Sequence, residues 1–227
     1  MKSKRPYHHG NLKQALLDAA LDLIRTKGAD AFTVREVARV AGVSHSAAYR
    51  HFRDKNDLLA AVATEGYNRM TEEIVAAIEP GKTAYEKFSL SGRAFIQFAL
   101  RNPEHFKVIY DSPRRYEYPE TNEAGERAFG TLVTLVEECQ AAGILQQGNS
   151  RMMALMYLAV TTGVAKLAIT GRLPFKSDDV LAFEYTVREA LTRGLAPEPE
   201  PAQAPLKKAG KKSGSAISAD KKSGRGR

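Results

Sequence analysis

One stretch, Thr33 to Phe52, constrains this chain more than any other: TVREVARVAGVSHSAAYRHF. Thr33 is a favoured helix N-cap, and Glu36 three residues later can close a capping box with it. Val34, Val37, Ala38 and Ala41 then recur at helical spacing. Gly42, lacking a Cβ, can take a positive φ and turn the chain sharply. Ser44 caps a second short helix. Two short helices joined by a tight turn containing glycine form a helix-turn-helix. In that motif the second helix enters the major groove with its N-terminal residues at the base edges. Ser44, His45 and Ser46 are then presented to DNA, and the small side chains of Ala47 and Ala48 let the helix approach closely. An ordinary helical hairpin carries the same cap and glycine, so the motif has to be judged by its surroundings.

Those surroundings match in order and spacing. The leading segment Leu12–Gly28 is followed by Phe32-Thr33-Val34, Val37-Ala38, Ala41-Gly42-Val43-Ser44, Tyr49, His51-Phe52, Lys55 and Leu58. On these residues the stretch from Tyr7 to Arg53 resembles the DNA-binding domain of TetR-type transcriptional regulators, the TetR/AcrR family. The opening Tyr7-His8-His9-Gly10 is similar to one branch of it. The resemblance implies that Ser44, His45 and Ser46 read base edges and that Arg50 reaches bases or phosphates. It also implies that Thr33, Tyr49, His51 and Lys55 hold the phosphate backbone, which fixes register without reading sequence.

Charge is unevenly placed. Of 34 Lys+Arg and 26 Asp+Glu, residues 1–60 hold 11 and 6, residues 195–227 hold 8 and 3, and the middle holds 15 and 17. Basic ends around a near-neutral centre suit a polyanion-binding head, a body and a basic tail. The single cysteine, Cys139, excludes an intramolecular disulfide and argues for a reducing compartment. Residues 1–11 lack the apolar core of a signal peptide. The longest apolar stretch, Met152 to Thr170, is interrupted by Thr161-Thr162-Gly163 and Lys166, so no membrane span is expected. A cytoplasmic protein without a membrane partner follows.

In chain order, residues 1–10 read as a basic arm whose Lys2, Lys4 and Arg5 could touch phosphates or a minor groove, or serve no role. The adjacent His8 and His9 share no helical face and make a poor metal site. Residues 11–53 form the helix-turn-helix head, opened by an amphipathic helix with Leu12, Ala15, Leu16, Ala19, Ala20, Leu23 and Ile24 on one stripe. Residues 54–194 form a helical body. It starts with a long helix capped by Asp54 and carrying Gly66, where a bend is expected, and it ends at Pro80-Gly81. No convincing period-2 run follows, so the fold class is all-α with about nine helices. Residues 195–227, rich in Pro, Ala, Lys, Ser and Gly, cannot bury enough surface to order themselves and read as a disordered basic tail.

Tyr67, Phe95, Phe98, Phe106, Tyr110, Phe129, Met153, Met156 and Tyr157 could line an apolar effector pocket, or could be plain bundle core. The resemblance favours the pocket: TetR-type bodies hold a small-molecule effector that changes the spacing of two DNA-binding heads. The body is similar to a branch named for a Trp-His-Gly signature, although Leu158–Gly163 here keeps only the glycine. The resemblance also implies a homodimer through the last two helices. Ala154, Ala159, Gly163, Ala165 and Ala168 would allow close approach, with Leu158, Leu167, Leu181, Phe183, Val187 and Leu191 supplying buried area. The two-fold pair would read a near-palindromic double-stranded operator.

No phosphate loop, Gly-x-Ser-x-Gly or zinc-ligand cluster is present in the sequence, so neither an enzyme nor a cofactor is expected. His105 is an isolated polar group, Asp178-Asp179 reads as a helix N-terminal cap, and Cys139 beside Glu137-Glu138 should not be activated. The sequence predicts a dimeric, ligand-responsive DNA-binding regulator, a repressor. Two alternatives remain: a nonspecific architectural binder working through its basic ends, and a small-molecule binding protein with a vestigial head.

Overall fold

The computed structural model describes residues 12–111, 117–174 and 176–197, and among these there are nine α-helices and no strand. They are α1 (Leu12–Lys27), α2 (Val34–Ala41), α3 (His45–His51), α4 (Lys55–Ile78), α5 (Ala84–Arg101), α6 (Pro103–Asp111), α7 (Pro119–Ala141), α8 (Ser150–Ile169) and α9 (Ser177–Gly194). The expectations for the N-terminal arm, its two histidines and the basic tail beyond residue 197 fall outside the described residues.

Local chemistry accounts for most boundaries. Thr33 and Glu36 make the predicted capping box, and Thr83 with Glu86 makes a second one at α5. Asp54 caps α4 by accepting from the Asp57 N–H, and Asn149 caps α8 by accepting from Met152 N–H. Pro103 and Pro119 open α6 and α7, where a missing N–H costs nothing. Gly42 ends α2 in the left-handed region at φ 71°. At α9 the N-cap position falls on Lys176, with no side-chain cap bond, rather than on the Asp178-Asp179 pair.

Two apolar clusters hold the molecule together. The first runs from the head (Leu16, Ile24, Val37, Ala48) through α4 (Leu58, Val62, Tyr67) into α5 and α6 (Phe95, Phe98, Phe106, Ile109) without a break. The second gathers Phe88, Val136, Cys139, Leu145, Met153 and Tyr157 from α5, α7 and α8 with the segment between the last two. Head and body thus share one core, and a displacement in one is felt in the other.

Gly66 lets two helices pack closely. Helix α4 runs through it uninterrupted, and α6 presses against it. A Cβ built at Gly66 would lie 2.9 Å from Ile109 Cδ1 and 3.2 Å from His105 Cβ. Glycine is there for close helix approach.

Helix α8 is, by length and composition alone, apolar enough to cross a membrane, a test that the core helix of a helical bundle also passes, and 33 % of its most apolar window is buried inside the subunit. Its outer face leaves Met152, Leu155, Met156 and Leu167 exposed. Ala154 and Ala165, expected on a partner-facing surface, are instead fully buried within the subunit.

Candidate DNA-binding face and effector cavity

The head presents α3 outward along one side. Val43 N–H bonds Ala38 O at 2.9 Å behind the left-handed Gly42, closing the turn. Ser44 Oγ accepts from Ala47 N–H at 3.2 Å and lies 3.1 Å from Ser46 Oγ, so Ser44 is first a cap. Ser44, His45, Ser46, Tyr49, Arg50 and His51 are all exposed, and Tyr49, at 45 %, is one of the few large exposed aromatics. All six lie on the two-turn helix α3 or at its N-cap.

One expectation from the sequence changes. Ala47 and Ala48 do not face outward: they are 8 % and 0 % exposed, and Ala48 packs into the head core. Their small size brings α3 close to its own support. Lys55 is half-buried, with Nζ donating to Asp30 O at 2.9 Å and lying 5.5 Å from the Phe32 ring centroid. It therefore ties the start of α4 to the loop before α2. Thr33 is exposed, with its hydroxyl accepting the Glu36 N–H at 3.3 Å. Arg35 and Arg39, one turn apart on α2, are also exposed. Sequence reasoning passed them over because arginines on the polar side of an amphipathic helix are ordinary.

Polar contacts join the head to α4 and α6. Arg25 Nε donates to Glu104 Oε1 at 3.0 Å, and Gln14 Nε2 donates to Glu65 Oε2 at 3.2 Å. His105, 3 % exposed, places Nε2 3.4 Å from Glu65 Oε1. The imidazole, followed by the Gln14 bond and the Arg69 charge, outweighs burial and holds the Glu65 carboxyl below its ordinary range.

A cavity of about 240 Å³ opens in the body between α4, α5, α7 and α8, with Tyr110 of α6 and Arg188 of α9 on its wall. Of the residues named from sequence, Tyr67, Phe95, Tyr110, Phe129 and Tyr157 line it. Four do not. Phe98 and Phe106 are fully buried in the core shared with the head, Met153 belongs to the second cluster, and Met156 lies on the outer face of α8. Periodicity gives the buried stripe of a helix, and only packing decides which part of that stripe borders a void.

Among the lining residues that sequence reasoning missed are Phe88, Ser91, Gly92, Thr161, Arg151 and Arg188. Arg188 is 2 % exposed. Its Nε donates to Glu184 Oε1 at 3.1 Å, Nη1 to Glu189 Oε1 at 3.4 Å and Nη2 to Ser89 Oγ at 2.9 Å. The Glu184 carboxyl, itself 2 % exposed, is pushed up by burial, with Arg188 opposing. In sequence this is an i,i+4 Glu–Arg pair of the kind found on solvated helices. Only its burial marks it. Gly92 makes room: a Cβ there would lie 2.8 Å from Glu184 Oε1 and 3.1 Å from Arg188 Nε.

Cys139 is buried, and burial, then Glu138, pushes its thiol up to about 11, the opposite of an activated thiol.

Against this geometry, residues 16–62 match the family model described as bacterial regulatory proteins, tetR family, and residues 89–190 match a tetracyclin repressor-like C-terminal domain. The chain is 33% identical over 178 residues to the HTH-type transcriptional regulator BetI of Rhizobium meliloti, covering 75% of this chain and 88% of that protein. A protein of unknown function from Rhodococcus sp. RHA1 superposes with a TM-score of 0.72 at 34% identity, over 86% of this chain and all of that one. FadR of Bacillus halodurans, a fatty acid degradation regulator, shares the fold with a TM-score of 0.68 at 18% identity, over 82% of this chain and 96% of that one. The head, the body and a relative matched over most of its length agree, and the chain belongs to the TetR family of bacterial DNA-binding transcriptional regulators.

Proposed function

We propose that this chain is a cytoplasmic, dimeric repressor, released from a near-palindromic operator by a small molecule held in the body cavity. The observation that carries the reading is the unbroken core between the cavity and the head. Tyr67 and Phe95 line the cavity and belong to the same cluster as Leu16, Val37 and Ala48. Helix α6 spans the same distance: Tyr110 borders the cavity, its ring is 4.6 Å from that of Phe106, and His105 and Glu104 meet α4 and α1. An occupant that moves Tyr110 therefore pulls on the base of the head. It can shift the pair between two head spacings only by its differential affinity for them.

At the DNA, His45, Ser46 and Arg50 read base edges, with Ser44 holding the helix start. Tyr49, His51 and Thr33 contact phosphates, joined by Arg35 or Arg39 on α2. The exposed apolar face of α8, with α9, forms the dimer interface.

Selection of bound sequences from a random duplex pool tests this, using the full-length chain and Tyr49→Ala. A single enriched palindrome that the variant no longer enriches is the expected result. Binding with no enriched sequence would instead favour a nonspecific binder that relies on counterion release.

A further inference from the structure

We propose that the cavity takes an uncharged, mostly apolar molecule carrying one hydrogen-bond acceptor, and that Arg188 donates to that acceptor. This rests on the reading of the cavity as the effector site and names what the site selects.

The argument starts with charge. Two cations line the cavity, and both are already matched by carboxylates. Arg151, near the surface, donates from Nη2 to Glu126 at 3.0 Å and stacks over the Phe129 ring at 5.0 Å. Arg188, deep in the wall, is shared by Glu184 and Glu189. These five ionisable groups leave a formal excess of one negative charge. A ligand carboxylate placed against Arg188 would be its third, in a site largely shielded from water, where repulsion is strong. A ligand cation fares no better. Neither Glu184 nor Glu189 lines the cavity, and the carboxylate that does, Glu126, is exposed and already paired with Arg151, so the charged group a cation would meet in the buried wall is the Arg188 guanidinium. An uncharged molecule meets neither repulsion and leaves water at least cost.

Hydrogen bonding sets the second condition. A guanidinium has five N–H hydrogens. The bonds to Glu184, Glu189 and Ser89 use three, leaving a second hydrogen on each terminal nitrogen. The nearby wall hydroxyls have spent theirs: Ser91 Oγ donates to Phe88 O at 2.8 Å, Thr161 Oγ1 to Tyr157 O at 2.9 Å, and Thr131 Oγ1 to Arg127 O at 3.2 Å. Tyr157 donates to Thr192 at 3.1 Å. Beside these spent hydroxyls the buried donor is Arg188, Arg151 lying at the exposed edge, and a carbonyl or ether oxygen is its complement. Phe88, Phe95, Phe129 and Leu132 supply the apolar remainder.

Calorimetry on the full-length chain at neutral pH, with four probes sharing one body, tests this: 4-phenylbutanamide, 4-phenylbutanoate, 4-phenylbutylammonium and butylbenzene. The amide should bind at least about tenfold more tightly than each of the other three. Ala128→Phe and Leu132→Trp each fill the cavity from α7, so one serves if the other does not fold, and either should abolish amide binding. Carboxylate or ammonium binding as tightly as the amide, and still lost on filling, would overturn the charge argument and leave the effector cavity standing. Butylbenzene equal to the amide would overturn the Arg188 bond. No binding by any probe would overturn the proposed ligand class. Binding indifferent to filling would overturn the cavity reading itself.

Discussion

Glu65 sits where the head meets the body, and its chemistry predicts how that junction responds to acid. Gln14 of α1 donates to it, and His105 of α6 lies 3.4 Å away, with Arg69 one turn along α4. Its folded-state pKa is depressed, so the stabilisation it provides is present above the ordinary carboxylate value and is lost as pH falls through the folded value. Glu65→Gln removes the charge while keeping the shape. It should cost about 1 kcal/mol at neutral pH, a typical worth for a hydrogen bond of this kind. The gap between variant and wild type should narrow once pH falls below the ordinary carboxylate value, about 4.3, and close only after it has passed the lower folded value, where the wild-type carboxyl is protonated as well. Urea unfolding at a series of pH values measures it. A gap that is constant with pH would mean the Glu65 charge plays no part.

Helix α6 shows what can and cannot be read from sequence. Its extent is legible residue by residue, because Pro103 fixes the start and the apolar spacing of Phe106, Val108, Ile109 and Tyr110 is local information. The same holds for the capping boxes at Thr33 and Thr83. The pressing of α6 onto Gly66, the burial of Arg188 and the turning of Ala47 and Ala48 toward the head core depend on how helices dock, and no local pattern carries that. Five of nine expected pocket residues reached the cavity for the same reason: the apolar stripe was right, but the void borders only part of it. Gly66→Ala tests the docking. Helix propensity alone favours alanine by about 1 kcal/mol. The added methyl would meet Ile109 Cδ1 at 2.9 Å and His105 at 3.2 Å, and overpacking of this kind costs about 1–3 kcal/mol. The expected net effect is destabilisation by up to about 2 kcal/mol, with altered operator affinity because α6 is pushed off α4. A more stable protein with unchanged DNA binding would show that the contact yields freely and that α6 does not transmit the signal.

At the scale of the whole molecule, α8 presents a stripe that one subunit leaves largely uncovered: Met152, Met156, Ala159 and Leu167 are exposed at helical spacing, with Gly163 half-buried among them and Leu155 at the edge of the cavity. Exposed large apolar groups in one row mark an interaction surface. The small residues at 159 and 163 sit where two copies of the helix would cross most closely. Gly163 separates the subunit from the assembly, because a Cβ there meets nothing within 4 Å inside the subunit. Gly163→Leu should therefore leave the fold intact and even favour the helix by about 1 kcal/mol. In an isologous interface the intruding side chain enters twice. At about 1–3 kcal/mol each, the two together weaken association by about 2–6 kcal/mol, a rise in dimer Kd of about 30-fold to 20,000-fold. Sedimentation equilibrium should give a monomer with the wild-type helical spectrum, and affinity for a palindromic operator should fall to that for a single half-site. A variant that stays dimeric would move the interface off this face of α8. The exposed apolar row would then need another partner.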